Sequence, residues 1–371
     1  MTGQLFSEHA DVIHLAAVMQ WLCLAQDVCN RKGVSAIYDL KSGWGVAYPE
    51  TSGYIIATFL AYANFSGDDE YLGRAIQLGD WEVEIQLPNG GVLSNPLNSY
   101  PRVFNTGQVI LGWCALYEET KDVKYFRAAL RAGEYLLNRQ DDDGAWRKDT
   151  YCGARTYHAR IDWALLRLAK LSGEMRFAEA AYKNLRWVLN QQDENGWFAQ
   201  CGFNNDLPIT HVIAYTLRGL LECYLMNSSS LNGLDILTRV IKTADALCVA
   251  LQRYHIRGIT GMGPTSFNAE WQSNDRHSCL TGNAQLACFL FRLAQTTNNE
   301  CYRRTAETIL LATKRTQTID TSIIPIRGAI GGTYPIYRGY SPNSYPNWAA
   351  KFFADALLMK LQYSRRIAIL A

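Results

Sequence analysis

Apolar and polar positions divide the chain into two kinds of helix-length segment. Six segments are apolar nearly all round and carry small residues in their first turn; they begin near residues 50, 104, 157, 209, 280 and 345. A helix that is apolar on every side is a buried one. Six other segments are amphipathic, with apolar residues at helical spacing and charges between them; they lie near residues 8–30, 69–87, 122–139, 175–192, 233–252 and 299–316. The pattern predicts twelve helices that alternate between an outer, wet position and an inner, buried one.

Three turns that follow amphipathic segments show which residues the repeat keeps. They read "EIQLPNGGV" (84–92), "LNRQDDDGAW" (137–146) and "LNQQDENGWF" (189–198), and they share a glutamine, a glycine and an apolar residue, whereas the acidic residues vary. A hard cation needs oxygen ligands and would not tolerate that variation. We therefore interpret Asp141, Asp142 and Asp143 as a repeat boundary and not as a metal site or an acid/base cluster.

Twelve alternating helices with no credible strand pattern predict an all-α fold, a closed (α/α)6 toroid that forms a single domain over residues 1–371. The competing architecture is an open α-solenoid of the same hairpins. The end repeats of a solenoid need polar caps, but the sixth inner segment stays strongly apolar. Closure is therefore the favoured prediction.

Loop lengths locate the candidate site. Connections from inner to outer segments are short, whereas those from outer to inner segments span residues 31–49, 88–103, 140–156, 193–208, 253–279 and 317–344. All six long loops must gather on the rim where the inner helices begin, and long ordered loops on a rigid scaffold usually carry function. The N-termini of the inner helices also bring unsatisfied N–H groups and partial positive charge to that rim.

Arginines and aromatic residues are frequent in these loops. Guanidinium groups bind carboxylates well, and flat rings stack on sugar faces, so we expect an acidic oligosaccharide or polysaccharide as partner. The candidate substrate-binding residues are Trp44, Tyr48, Tyr54, Arg102, Asn105, Arg155, Tyr157, Arg160, Trp271, Arg276, Asn283 and Tyr345. Many such rings would instead pin loops to the scaffold, Trp146 and Trp197 foremost.

Two chemistries fit the polar residues at the starts of inner segments. Glycoside hydrolysis needs two carboxyl groups, for which Glu50 and Asp162 are the candidates; their structural alternatives are a charge on a helix N-terminus and an ion pair with Arg160 or Arg155. Proton abstraction next to a uronate carboxylate needs a histidine, tyrosine or lysine. His158 and His211, at equivalent positions of successive repeats, are candidates for it, although a histidine at a helix start is often a capping residue.

Composition removes several classes of function. The net charge of +2 gives no reason to expect nucleic acid or a membrane surface as partner, and no apolar run approaches the length of a membrane span. The ten cysteines form no CxxC pair, and the N-terminus lacks the apolar core of a signal peptide, so we expect a cytoplasmic protein. No phosphate loop, dinucleotide fingerprint or recognised zinc spacing is present, and we expect neither cofactor nor metal. The oligomeric state stays open.

The chain resembles the six-hairpin glycosidase-like toroids. Within them, "YPETSGYIIATFL", "VFNTGQVILG", "THVIAYTLRGLLE", "SCLTGNAQ" and "SYPNWAAKFFADALL" resemble a family of bacterial proteins associated with extracellular-polysaccharide gene clusters. A weaker similarity connects the inner segments to the toroid domain of glucuronyl C5-epimerases. The resemblance implies the fold and a setting in polysaccharide metabolism or biosynthesis, but no catalytic residue.

Because hydrolases dominate that superfamily, the first functional hypothesis is a glycoside hydrolase-like enzyme that uses Glu50 and Asp162. The alternatives are a uronate C5-epimerase or polysaccharide lyase, and a non-catalytic glycan-binding protein.

Overall fold

The helices follow the predicted order. The computed structural model of the protein describes residues 2–95, 97, 100–204, 206–226 and 233–370, with side chains described between residues 8 and 363. Its helices are α1 Thr2–Asp27, α2 Pro49–Ser66, α3 Asp69–Ile85, α4 Val103–Thr120, α5 Val123–Arg139, α6 Ala159–Ser172, α7 Met175–Leu189, α8 Thr210–Met226, α9 Ile236–Leu251, α10 Leu280–Thr297, α11 Glu300–Lys314 and α12 Asn347–Leu370. Short 3₁₀ turns lie at Thr156–His158, Ile256–Gly258 and Ile324–Ile326.

The even-numbered helices form a closed inner ring. Each packs on the next, from α2 through α4, α6, α8 and α10 to α12, and α12 packs back on α2. The odd-numbered helices lie outside, and each of α3, α5, α7, α9 and α11 packs on the inner helix that precedes it. The prediction of a closed (α/α)6 toroid is confirmed, and an open solenoid is excluded.

The sixth hairpin is made from the two ends of the chain. Helix α12 packs on α1, the first described helix, as its outer partner. Asp11 of α1 is fully buried and forms ion pairs with Lys314 of α11 and Lys360 of α12. We call the packing of α1 on α12 the closing hairpin. Its ion pairs join residues more than 300 positions apart.

Short connections between inner and outer helices combine two capping signals. After α2, Gly67 takes the left-handed conformation that ends a helix, and Asp68 accepts a hydrogen bond from the Glu70 N–H at the start of α3. Lys121 and Asp122 do the same between α4 and α5. These two-residue turns reverse the chain at once and leave the opposite rim free for the long loops.

The repeated glutamine and glycine bind three of the long loops to the next outer helix. The glutamine Nε2 donates to a carbonyl oxygen of that helix; the pairs are Gln86 with Ala128, Gln140 with Ala180 and Gln192 with Arg239, at 3.0, 2.8 and 2.8 Å. The glycines have positive φ and lie against the same helices, where a Cβ would come within 3.0 Å of the backbone; they are Gly90, Gly144 and Gly196. We call this unit the Gln–Gly turn.

The last long loop uses a Gln–Gly turn to close the ring. Gln317 donates to the His14 carbonyl of α1 at 3.1 Å, and a Cβ on Gly328 would lie 2.1 Å from the Ala17 oxygen. The aspartates between Gln140 and Gly144 have a local role, because Asp141 and Asp143 pair with Arg147 and Asp143 also accepts from the Ala145 N–H. Their interpretation as a repeat boundary is confirmed.

Five strands of two or three residues occur in the long loops, where the sequence predicted none. They are β1 Ile37–Asp39, β2 Gly43–Trp44, β3 Ser278–Cys279, β4 Thr333–Tyr334 and β5 Ser344–Pro346, arranged antiparallel as β2-β1-β5 and β3-β4. Such strands are too short to show a period of two in the sequence. The pairing of β1 with β5 ties the first long loop to the last. No helix in the described ranges is both long and apolar enough to span a bilayer.

We predict that ring closure depends on the buried carboxylate of Asp11. Asp11→Asn should lower the free energy of unfolding by about 3 kcal/mol, because it leaves the Lys314 and Lys360 ammonium groups largely buried without a counter-charge. The matched control is Glu84→Gln, which breaks an exposed ion pair with Lys32 and should cost under about 1 kcal/mol. Urea unfolding measures both, and equal losses in the two variants would contradict the prediction.

Candidate active site

A cavity of about 320 Å³ lies at the rim where the inner helices begin, within the size range of small-molecule sites. Residues from the first turns of the inner helices line it, together with aromatic residues of the long loops. The lining residues used below are Tyr48, Glu50, Tyr54, Phe104, Tyr151, Tyr157, Phe203, His211, Tyr215, Tyr340 and Trp348. The long loops therefore enclose a cavity on the predicted side of the toroid.

Glu50 is the acidic group of this cavity among the described residues. It follows Pro49 in the first turn of α2, where proline is preorganised for a helix and a carboxylate faces the positive end of the helix dipole. Burial raises its pKa from 4.5 to about 7, while Arg160 and the hydroxyls of Tyr48 and Tyr215 favour the ionised form. A carboxyl group with a pKa near 7 can both give and take a proton at neutral pH.

His211 contributes a neutral imidazole. Burial lowers its pKa to about 3, and the Arg160 charge acts in the same direction. The Gln285 amide lies 3.4 Å from Nδ1, and the ring packs against those of Phe203, Tyr215 and Tyr340. His211 can therefore donate one hydrogen bond to a ligand and accept another, but it is not a cation at neutral pH.

Several polar groups around the cavity are buried and lack a hydrogen-bond partner in the described part of the protein. They are the hydroxyls of Tyr54, Tyr157 and Tyr215 and the indole Nε1 of Trp348. Burial raises the pKa of the three tyrosines, so they stay protonated and can donate. A buried polar group left unpaired costs about 1–3 kcal/mol. Tyr215 still has Glu50, Gln285 and Tyr54 as polar neighbours, and Trp348 has Tyr340, so Tyr157 is the group of the four without one; all four can donate to a ligand in the cavity.

Five of the residues predicted from sequence meet in this cavity. They are Tyr48, Glu50, Tyr54, Tyr157 and His211. Two others stand directly behind its wall: Asn105 accepts from the Tyr151 hydroxyl at 3.1 Å, and the Arg102 guanidinium lies 5.1 Å from the Tyr151 ring centroid. Tyr151 itself bonds to the Tyr48 hydroxyl at 2.7 Å.

Asp162 and His158 do not line the cavity. Asp162 is fully buried with an unpartnered carboxyl group, so neither expected ion pair, with Arg160 or with Arg155, is formed, and burial raises its pKa far above the usual value. His158 packs between Trp146 and Tyr157, and burial lowers its pKa to about 3. Glu50 and Asp162 therefore do not flank one bond as the hydrolase hypothesis required.

The predicted arginines are absent from the cavity lining, which contains neither arginine nor lysine among the described residues. Arg155 donates to Gln200 at 2.7 Å, and Arg160 donates from Nε to Gln108 at 2.7 Å behind the Tyr215 ring. Arg276 is exposed on its loop. The structure therefore brings none of these three guanidinium groups into the described lining; Arg155 and Arg160 bind protein groups instead, and the acidic partner stays a prediction.

The remaining predicted binding residues hold the loops in position. Trp44 packs on Trp21, with ring centroids 5.6 Å apart, and Trp271 packs on Trp197 at 5.2 Å. Tyr345 lies in β5 opposite Tyr38, and the Asn283 amide donates to Ser278 Oγ at 3.1 Å. These are the loop-pinning roles that the sequence allowed for such residues.

The structure adds Tyr215 and Trp348, which the sequence analysis missed. Tyr215 lies four residues after His211 on α8, a spacing that puts both on one helix face, as for Glu50 and Tyr54 on α2. That spacing was visible in the sequence. Phe203 and Tyr340 come from irregular loops and gave no comparable signal. No group of three or more His, Cys, Asp and Glu side chains is arranged to hold a metal ion in the described ranges.

The toroid is the fold of several sugar-converting enzymes. An unsaturated glucuronyl hydrolase specific for heparin superposes with a TM-score of 0.76 and 14% identity, covering 96% of this chain and 98% of its own. Cellobiose 2-epimerase from Bacillus thermoamylovorans B4167 gives 0.74 and 10%, covering 96% and 99%. An unsaturated glucuronyl hydrolase of Bacillus sp. GL1 that degrades glycosaminoglycan gives 0.70 and 15%, covering 96% of each.

At these identities the likeness shows the shared (α/α)6 fold. No protein-family model matches the sequence, and no curated protein matches it.

The raised pKa of Glu50 predicts a pH-dependent cost of folding. The folded state favours the protonated carboxyl group. The contribution of Glu50 to the free energy of unfolding is therefore complete below about pH 4.5 and is lost as the pH rises through about 7. Glu50→Gln should thus become more stable than the natural protein above pH 7, by about 3 kcal/mol at the limit set by the two pKa values. Urea unfolding between pH 4 and 8 measures the difference.

Glu222→Gln provides a control of opposite sign. Burial alone would raise the pKa of Glu222, but its ion pairs with Arg218 and Arg292 outweigh burial and hold it below the usual value. Its stabilisation is present above about pH 4.5 and lost in acid, so this variant should be weakened at neutral pH. The same pH trend in both variants would refute the assignment of Glu50.

Proposed function

We propose that the protein is a carbohydrate-active enzyme that binds one sugar residue of an oligosaccharide in the cavity and moves a proton on it with Glu50. The observation that carries the proposal is a carboxyl group with a pKa of about 7 in a cavity lined by tyrosine and tryptophan donors. The fold neighbours named above act on sugars by hydrolysis or epimerisation. The residues 1–371 would act as one domain in polysaccharide metabolism, the setting that the sequence resemblance implies.

Proton transfer at a sugar carbon next to a carbonyl group, as in the ring-opened reducing end of a neutral oligosaccharide, fits this cavity better than hydrolysis by paired carboxyl groups. A paired mechanism places its two carboxyl groups about 5–10 Å apart across the scissile bond, and the described lining offers Glu50 alone. Epimerases and lyases need a group that takes a proton and neighbours that stabilise the developing charge. Glu50 would take the first role, and His211 with the tyrosine hydroxyls the second.

The sugar unit inside the cavity is proposed to be neutral. A carboxylate there would meet Glu50 and aromatic rings but no arginine or lysine of the lining, and a buried charge without a partner is costly. The rings of Phe104, Tyr157 and Phe203 line the cavity and offer apolar surface to the faces of a pyranose. Acidic groups of a longer chain would lie outside the cavity.

We expect Glu50→Gln to lower turnover by about 10²–10⁴-fold with folding intact, because the amide cannot exchange a proton. Asp162→Asn is the matched control: it also replaces a buried neutral carboxyl group, but away from the cavity, and should keep activity within a few fold. An oligosaccharide screen would record solvent deuterium incorporation, unsaturated products and new reducing ends. Full activity of Glu50→Gln would refute the proposal.

That screen also separates the alternatives. Deuterium in the recovered sugar identifies epimerisation, new ultraviolet absorbance identifies a lyase, and new reducing ends without that absorbance identify hydrolysis. Calorimetric binding without any product would instead support the glycan-binding alternative.

Neutral and acidic substrates should differ in rate. With matched oligosaccharides, one neutral and one carrying a uronate at the reacting residue, we expect kcat/KM at least tenfold higher for the neutral one, since tenfold corresponds to about 1.4 kcal/mol. A faster reaction of the uronate would contradict the proposed neutral unit and leave the role of Glu50 untouched.

A further inference from the structure

A second cavity of about 210 Å³ lies deeper in the same inner ring. Its lining comes from later turns of helices that form the first cavity. On α2, Glu50 and Tyr54 line the first cavity, and Ala57 and Ala61 line the second. On α8, Tyr215 is followed by Arg218 one turn later. The two cavities are therefore stacked along the inner ring.

A layer of rings and two cations separates the cavities. The rings of Tyr54 and Tyr215 lie 5.4 and 6.0 Å from the ring of Phe352. The Lys351 ammonium lies 4.3 Å from the Phe352 centroid, and the Arg160 guanidinium lies 4.9 Å from that of Tyr215. Both cations line the second cavity. The tyrosines thus face the sugar site, and the positive charge lies on the other side of the rings.

The charge of the second cavity is unbalanced. Three cations line it, Arg160, Arg218 and Lys351, against one carboxylate, Asp355. Asp355 forms an ion pair with the Lys351 ammonium. Glu222 forms ion pairs with both Arg218 and Arg292. The negative ends of the inner-helix dipoles on this side oppose only part of such a charge.

Arg160 forms no contact ion pair among the described residues, and the carboxyl group that acts on it, Glu50, has a pKa of about 7 and so carries only part of a negative charge at neutral pH. Arg160 is 3% exposed, and its Nε donates to the neutral Gln108. Burying a cation without a partner is costly. Burial also lowers the pKa of both Arg160 and Lys351; Asp355 opposes this for Lys351 and Glu50 for Arg160, while a neighbouring cation adds to it in each case. An anion in the cavity would relieve this cost.

We propose that the second cavity binds a small tetrahedral oxyanion, a phosphate or sulfate group, between Arg160, Arg218 and Lys351. Guanidinium groups match the geometry of such oxyanions and bind them through paired N–H donors. The exposed Ala57 leaves the cavity open to the side away from the sugar site. This site does not depend on the reaction proposed for the first cavity.

Calorimetric titration of the full chain with inorganic phosphate and with sulfate tests the proposal. We expect saturable binding of one ion per chain, weakened at least tenfold in Arg218→Gln. Arg167→Gln is the matched control, since Arg167 pairs with Glu118 outside the cavity, and it should bind as the natural protein does. Glucose 6-phosphate in a third arm distinguishes a free ion from a phosphate ester.

Ala57→Glu keeps the test valid if Arg218→Gln folds poorly. It introduces a negative charge on an exposed wall of the cavity and should abolish binding with no loss of thermal stability. Absence of saturable binding to the natural protein, or equal affinity in Arg218→Gln and Arg167→Gln, would overturn the proposal. The cations would then serve only to offset the negative ends of the inner-helix dipoles.

Discussion

The contact between the two ends of the chain is the constraint on which the rest of the structure depends. Five hairpins form from consecutive helices, but the sixth exists only when α1 returns to pack on α12. Asp11, Gln317 and Gly328 make that return specific, through an ion pair, a side-chain hydrogen bond and a close backbone approach. Both cavities lie inside the inner ring, and each uses residues of α2 and α12. Without closure neither would have a wall between these two helices.

Hydrophobic periodicity was enough to predict the ring because each inner helix is apolar on all sides and each outer helix on one. The same property hid the orientation of individual side chains. Asp162 and Glu50 both lie in the first turn of an inner helix, yet Glu50 faces the cavity and Asp162 does not. Where every face of a helix is buried, sequence patterns predict how far along the helix axis a residue lies but not the direction in which its side chain faces.

Loop composition was a weaker guide than loop length. Length correctly predicted the rim that carries the cavity, since all long connections must lie on one side. Composition predicted an acidic ligand from arginines that in fact bind protein groups, such as Gln200 for Arg155 and Gln108 for Arg160. The raised pKa of Glu50 arises from burial instead, and burial is a property of the closed ring that no local stretch reveals.

Because of the closing hairpin, the helix contacts of the ring do not depend on where in the ring the chain begins and ends. Every inner helix has an outer partner and two inner neighbours, including those at the ends of the sequence. A circular permutant that joined α12 to α1 by a short linker and opened the chain at Lys121 would keep the same set of helix contacts. Evolution could thus begin or end such a chain at any of its short turns and leave both cavities intact.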